Sequence, residues 1–246
     1  MSEAWTPIAG FAGVLDGNGK TLTVNYSGSD EQAGIFATLD GTVKNLRVAG
    51  SFTTTATAKV TLGAVAGKLG EKAQIVGCTN TAGIAMNVDA SGTTVIGGIF
   101  GQGPAGNVIA DNTNEGRITV RRKTPGDAAA VAGVGGWAYS DVTGCVNKGE
   151  IRYSDEVSAA KAVYVGGVLG RLDIGKGYVV EGCRNEAPVT LATAQAANNL
   201  LGGIAAYANG ENRDTPNTIR NCENRGDVLA DAPVSDKAKT GQARMG

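Results

Sequence analysis

The chain contains no histidine. That absence removes the Ser-His-Asp and Cys-His routes to nucleophilic catalysis, and with them the commonest metal ligand. Aromatic residues are scarce, 5% of the chain, so a core has to be assembled from Val, Ile, Leu, Ala and Gly. No apolar run approaches the ~18 residues that a membrane-spanning helix requires. The four cysteines, Cys78, Cys145, Cys183 and Cys222, lie far apart in sequence, which excludes a CxxC redox or zinc signature. A formal net charge of −1 argues against nucleic acid or an anionic membrane as the main partner. The one basic run, Arg121-Arg122-Lys123, reads as a solvated loop. The opening Met1-Ser2-Glu3-Ala4 has no signal-peptide character, so the chain reads as a protein that stays inside or as a mature or excised form.

What the sequence does have is a repeat. Val165-Gly166-Gly167-Val168-Leu169-Gly170 recurs as Ile96-Gly97-Gly98-Ile99-Phe100-Gly101, Val131-Ala132-Gly133-Val134-Gly135-Gly136 and Leu201-Gly202-Gly203-Ile204-Ala205-Ala206. Looser copies are Leu62-Gly63-Ala64-Val65-Ala66-Gly67 and Ala33-Gly34-Ile35-Phe36-Ala37. The third motif position falls at 34, 64, 98, 133, 167 and 203, a period close to 35 residues. A second motif keeps pace with the first: an aliphatic residue, two others, Cys-x-Asn, a small residue and a further aliphatic. Its copies centre on Cys78/Asn80, Cys145/Asn147, Cys183/Asn185 and Cys222/Asn224, with Asn112 replacing the thiol beside Asn114. A fixed period of this length signals a repeat architecture.

Helices are the wrong material for it. A Gly pair in every unit costs a helix roughly 1 kcal/mol per Gly, and the abundance of Val, Ile and Thr suits strands. The expected fold is therefore all-β: a parallel β-helix of about seven coils, one per repeat, each with two or three short strands. Residues 1–234 would form a single solenoid and residues 235–246 a polar flexible tail. The glycines are expected at tight bends. Two aliphatic columns, Ile35/Val65/Ile99/Val134/Val168/Ile204 and Leu62/Ile96/Val131/Val165/Leu201, should stack inside. The opening 5–24 reads as strand, turn, strand, with Asp16-Gly17 and Asn18-Gly19 as turn dipeptides. Its Gly19-Lys20-Thr21 is not a phosphate loop, because Val14 stands where such a loop needs glycine. Both ends of the array look abrupt and uncapped, which fits a segment of a longer fibre.

Stacking sets the reading of the polar columns. Asn80, Asn114, Asn147, Asn185 and Asn224 are expected to form an internal amide ladder rather than a ligand stripe. The cysteines, two residues earlier on the same face, read as buried free thiols, since neighbouring parallel strands seldom offer disulfide geometry. A β-helix lyase or hydrolase needs carboxylates converging on one face, with a basic partner or bound calcium. Asp111, Asp141, Asp155, Glu156, Asp173, Glu181 and Asp214 instead occupy scattered repeat positions and read as solvated loop charge. No catalytic residue, metal site or cofactor is assigned.

The two motifs resemble the GLUG-motif repeats of bacterial surface and secreted proteins. The Gly-Gly-aliphatic-x-Gly copies, the Cys-x-Asn-x-Gly-x-aliphatic copies and the opening Trp5-Thr6-Pro7-Ile8 with 11–19 carry the resemblance over roughly residues 5–230. It implies a parallel β-helix in an exported bacterial protein, often of gut Bacteroidetes, adhesin-like or part of an immunoglobulin A peptidase-type protein. No catalytic set accompanies the repeat. The expected function is a non-enzymatic surface or secreted module, a rigid spacer that binds a host glycan or protein. A polysaccharide lyase or glycoside hydrolase on a β-helix is the alternative. Contacts should lie on the loop-rich face, with Trp137, Tyr139, Tyr178 and Tyr207 as candidates.

Overall fold

A computed structural model describes residues 4–123, 127–156, 161–173, 177–193, 199–209 and 214–231, and the backbone of 244–245. Among these residues every element is a strand, and every strand pair is parallel. The chain winds as a β-solenoid. One coil runs through Val142–Thr143, Val146–Asn147, Ile151–Asp155, Val163–Gly166 and Leu169–Leu172 before the path repeats.

Successive coils build four sheets rather than the two or three strands per coil expected. Sheet 1 has seven strands, from Val14–Asp16 to Thr218–Arg220. Sheet 2 has twelve, because from Thr79–Asn80 onward each coil crosses it as a two-residue strand followed by a longer one. Sheet 3 has seven strands, Gln32–Ala33 through Arg244–Met245, and sheet 4 has six, Phe36–Leu39 through Ala205–Ala208. Regular turns number about five, slightly fewer than the roughly seven expected. The N-terminal end departs from the regular coil: Thr21–Gly28 and Arg47–Thr54 cross sheet 2 as single unbroken strands before the regular pattern begins.

The register puts like on like. Leu62, Ile96, Val131, Val165 and Leu201 are direct partners along sheet 3 and are buried. Ile35, Val65, Ile99, Val134 and Val168 are buried in the same way, with Ile204 only partly covered near the last coil. Each such side chain contributes roughly 1.5–3 kcal/mol through the water it sheds.

The glycine pairs stand where expected, at bends: Gly98, Gly133, Gly167 and Gly203 each open the corner between a sheet 3 strand and the sheet 4 strand that follows. Gly166 and Gly167 do not need left-handed φ there, and they are glycines because nothing larger fits. A Cβ on Gly167 would stand 2.0 Å from the Gly203 carbonyl oxygen and 2.6 Å from Cγ of Asn185. A second set of corners, these left-handed, lies one residue before the cysteine position. There Asn45, Gly77, Asp111, Gly144, Gly182 and Asn221 all have positive φ, between 52° and 64°. Gly, Asn and Asp are the residues that enter this left-handed region at least cost.

Two further expectations are corrected. Arg122 is not in a solvated loop. It ends the strand Ile118–Arg122 and is fully buried, donating to the carbonyls of Ala90, Gly92 and Asp127. Arg121 and Lys123 are exposed, and Arg121 pairs with Glu156. The N-terminal edge is not bare either. The opening segment lies along the first coil, with Ile8 bridging Phe36 and Phe11 bridging Leu39, and the Phe11 ring stacks on Phe36 at 4.7 Å. The turn at 17–20 carries positive φ at Asn18 and Gly19 but forms a corner between sheets 1 and 2, not a hairpin. Most of 235–246, read above as a tail, lies outside the described residues. Arg244–Met245 adds a final strand beside Leu200 and Leu201.

Candidate functional site

The interior column is structural. Asn80 Nδ2 donates to Asn114 Oδ1, Asn114 to Asn147, Asn147 to Asn185, and Asn185 to Asn224, at 2.7–2.9 Å. Each amide also donates to the carbonyl two residues on, as Asn147 does to Gly149 at 3.0 Å. The ladder leaves no free group to face a ligand in the buried coils. It also explains the tight glycine column, because Gly98, Gly133, Gly167 and Gly203 lie directly against Asn114, Asn147, Asn185 and Asn224. The two sequence motifs are the two halves of one contact across the coil.

The thiols beside the ladder are free, with Cys78, Cys145 and Cys183 buried and Cys222 half-buried. Burial pushes the Cys78 thiol up to about 11. Cys183, which shares a hydrogen bond with Cys145, is also pushed up. Asn112 fills the gap in this column by accepting from the Cys78 backbone N–H and donating to the Ile75 carbonyl. Among the described residues no group of three or more His, Cys, Asp and Glu side chains could hold a metal. No described helix is long and apolar enough to cross a membrane.

The outward column of sheet 4 is different. Its partners in register are Thr38, Lys68, Gln102, Trp137, Arg171 and Tyr207, with no residue type repeated. In the last three coils these side chains form a cluster. The Arg171 guanidinium lies 4.2 Å from the centroid of the Trp137 ring and 5.4 Å from those of Tyr164 and Tyr207. Trp137 and Tyr139 run nearly parallel, 6.2 Å apart at 12°. Tyr164, from the sheet 3 strand Val163–Gly166, leans on Tyr207 at 5.5 Å.

Asp173 holds the cluster together. Its Oδ2 accepts from Arg171 at 2.8 Å, Tyr139 OH at 3.1 Å and Trp137 Nε1 at 3.2 Å, and its Oδ1 accepts from Asn209 Nδ2 at 3.3 Å. Asn217 Nδ2 bonds the Asp173 carbonyl. Burial, then the Asp173 charge, pushes the Tyr139 phenol up. With Trp137 Nε1, Tyr139 OH and one arm of Arg171 held by Asp173, the cluster presents ring faces and one cation, pre-set in position.

Of the four aromatics singled out from the sequence, Trp137, Tyr139 and Tyr207 meet here, all half-buried. Tyr178 does not. It lines a separate groove of about 670 Å³ with Glu71, Lys72, Pro104 and Asp141. A smaller recess of about 180 Å³, lined by Lys68, Gln102, Pro104 and Tyr139, lies between the two. Sequence reasoning missed Tyr164 and Arg171 and read Asp173 as solvated. The signal was available, since Trp137, Arg171 and Tyr207 each fall four residues after the third motif position.

The remaining acids do not converge. Asp111 occupies a left-handed corner, Glu156 pairs with Arg121, and Glu181 pairs with Arg220. Asp141 accepts from the Val179 N–H, and Asp214 is exposed. Asp155 is buried in sheet 2, accepting from Thr193 at 2.7 Å, so it and Asp173 depart from the expectation of solvated loop charge. No family model, no curated protein and no solved structure matches the chain.

Proposed function

We propose that the protein is a non-enzymatic, adhesin-like binding module, carried on the cell surface or secreted, that recognises glycans on the outward face of sheet 4. The observation that carries this reading is the Trp137–Arg171–Tyr207 column tied to Asp173. The C–H face of a pyranose is weakly positive and packs on the negative face of an aromatic ring. Arg171, Gln102 and Lys68 stand in the same column to meet its hydroxyls. A cluster fixed before binding loses little side-chain freedom when it binds. The motif resemblance to GLUG repeats supports an exported bacterial setting.

A glycan array followed by calorimetry tests the proposal. The expected result is binding that Trp137→Ala or Tyr207→Ala weakens by about tenfold or more, in line with the ~1.4 kcal/mol that tenfold represents. Silence on the array and in a host-protein pull-down would leave only a spacer role. Turnover of an acidic polysaccharide, lost in Asp111→Asn or Asp141→Asn, would replace the proposal with an enzymatic one.

A further inference from the structure

Sheet 4 reaches the surface through one side chain per coil. In Ala66–Leu69, Phe100–Gly103, Gly135–Ala138 and Leu169–Leu172 the third residue is outward and the other three are buried. The second is glycine each time, pressed so close to sheet 3 that a Cβ on Gly136 would stand 2.7 Å from Val95 Cγ1. The outward residues therefore form a single file along the solenoid axis, Lys68, Gln102, Trp137, Arg171 and Tyr207, each the register partner of the next. At the ~4.8 Å spacing of neighbouring strands the file is about 19 Å long. Thr38, one coil earlier, does not extend it, because its hydroxyl donates to Gln32 at 2.9 Å.

The file changes character along its length. Its last three coils carry ring faces and the Arg171 guanidinium, whose charge Asp173 balances at 2.8 Å. Its first two carry Gln102 and the exposed Lys68, and among the described residues no acid pairs with Lys68. The recess of about 180 Å³ lined by Lys68, Gln102, Pro104, Ala105 and Tyr139 joins the two halves, since Tyr139 also belongs to the aromatic cluster. A compact ligand touches two or three rungs of such a file, and only an extended one touches all five. The unbalanced ammonium of Lys68 selects a negative group at its end, because complementary charge sets specificity.

We infer that the file binds a linear acidic polysaccharide lying along the solenoid axis, with its rings packed on Trp137 and Tyr207 and a carboxylate held by Lys68. The inference rests on the glycan-binding reading of the same face and adds to it a chain length, an orientation and a charge. Gln102 and Lys68 become the residues that tell a long chain from a short one. The aromatic cluster alone serves for a short one.

Calorimetry with oligogalacturonates of two to six units, and with neutral cello-oligosaccharides of the same lengths, tests it on the wild type, Lys68→Ala and Trp137→Ala. Lys68 is exposed and holds no other element in place, so Lys68→Ala keeps the fold. The uronate affinity is expected to rise about tenfold or more between two and five units, as the chain reaches successive rungs. Lys68→Ala should lower the six-unit affinity about threefold, the size of an exposed ion pair, and reduce its salt dependence, while leaving the two-unit affinity unchanged. Trp137→Ala should weaken every length. Affinity already complete at two units, indifference of the six-unit chain to Lys68→Ala, or tighter binding of the neutral series overturns the inference and leaves the proposed function standing on the aromatic cluster. Silence of both series also overturns it, and the glycan array then decides separately whether the cluster binds a sugar at all.

Discussion

Asn147 stands in the middle of the amide column, fully buried, accepting from Asn114 and donating to Asn185 and Gly149. Truncating it strands several partners away from water, so Asn147→Ala should lose roughly 2–4 kcal/mol of stability. Asn224 ends the column in solvent, and Asn224→Ala should cost under about 1 kcal/mol because water replaces what is lost. Urea unfolding of the two variants checks the contrast. The left-handed corners give a second test. Gly182 has φ +62° and open space around its Cα, with no atom nearer a built Cβ than 3.9 Å. Gly182→Asn should be tolerated, as Asn221 is in the next coil, whereas Gly182→Val should cost about 1–3 kcal/mol of pure backbone strain. These residues also show where sequence reading stops. The asparagines were legible because register alone stacks them. The corner residues were present as Gly, Asn or Asp at one fixed offset, but three residue types at one site do not look like a motif until φ is known.

At the scale of the strand and sheet, period gave the coil and hydrophobic patterning gave the interior columns. The number of sheets was not legible, since the period measures the length of a coil but not how many corners divide it. Arg122 was missed for a related reason: a strand-end arginine and a loop arginine are the same letter, and only the three carbonyls around it distinguish them. The thiol column has a consequence for pH. Burial lifts Cys78 from the ordinary 9.0 to about 11, and burial lifts Tyr26 to about 12. At these two groups the folded chain keeps protons that the unfolded chain releases, so their contribution to stability falls as pH rises. The contribution is fully present below about 9 and is lost as pH climbs through 11 toward 12. Urea midpoints measured between pH 8 and 11 should decline accordingly. In native protein a thiol reagent at pH 8 should modify half-buried Cys222 first, with the other three reacting only after denaturation.

Across the whole molecule each coil contacts chiefly its two neighbours, so stability should be graded along the axis rather than uniform. The C-terminal coil is the weak end: Ile219 and Leu229 are 43% and 51% exposed, and among the described residues its strands Thr218–Arg220 and Val228–Asp231 pair only with the coil before them. Hydrogen exchange should be fastest in 218–231 and slowest in the strands between 94 and 155, and equal protection throughout would contradict a nearest-neighbour stack. The amide column adds a direction to this axis. Each asparagine from Asn80 to Asn185 hands its proton toward the C-terminal side, so among the described residues the column has a donor pole at Asn224, where one N–H of the amide has no successor, and an acceptor pole at Asn80. Two identical poles brought together would set donor against donor. Any further rung laid on the Asn224 pole must therefore arrive oxygen-first, which makes the stack a one-way structure in which only opposite ends are compatible.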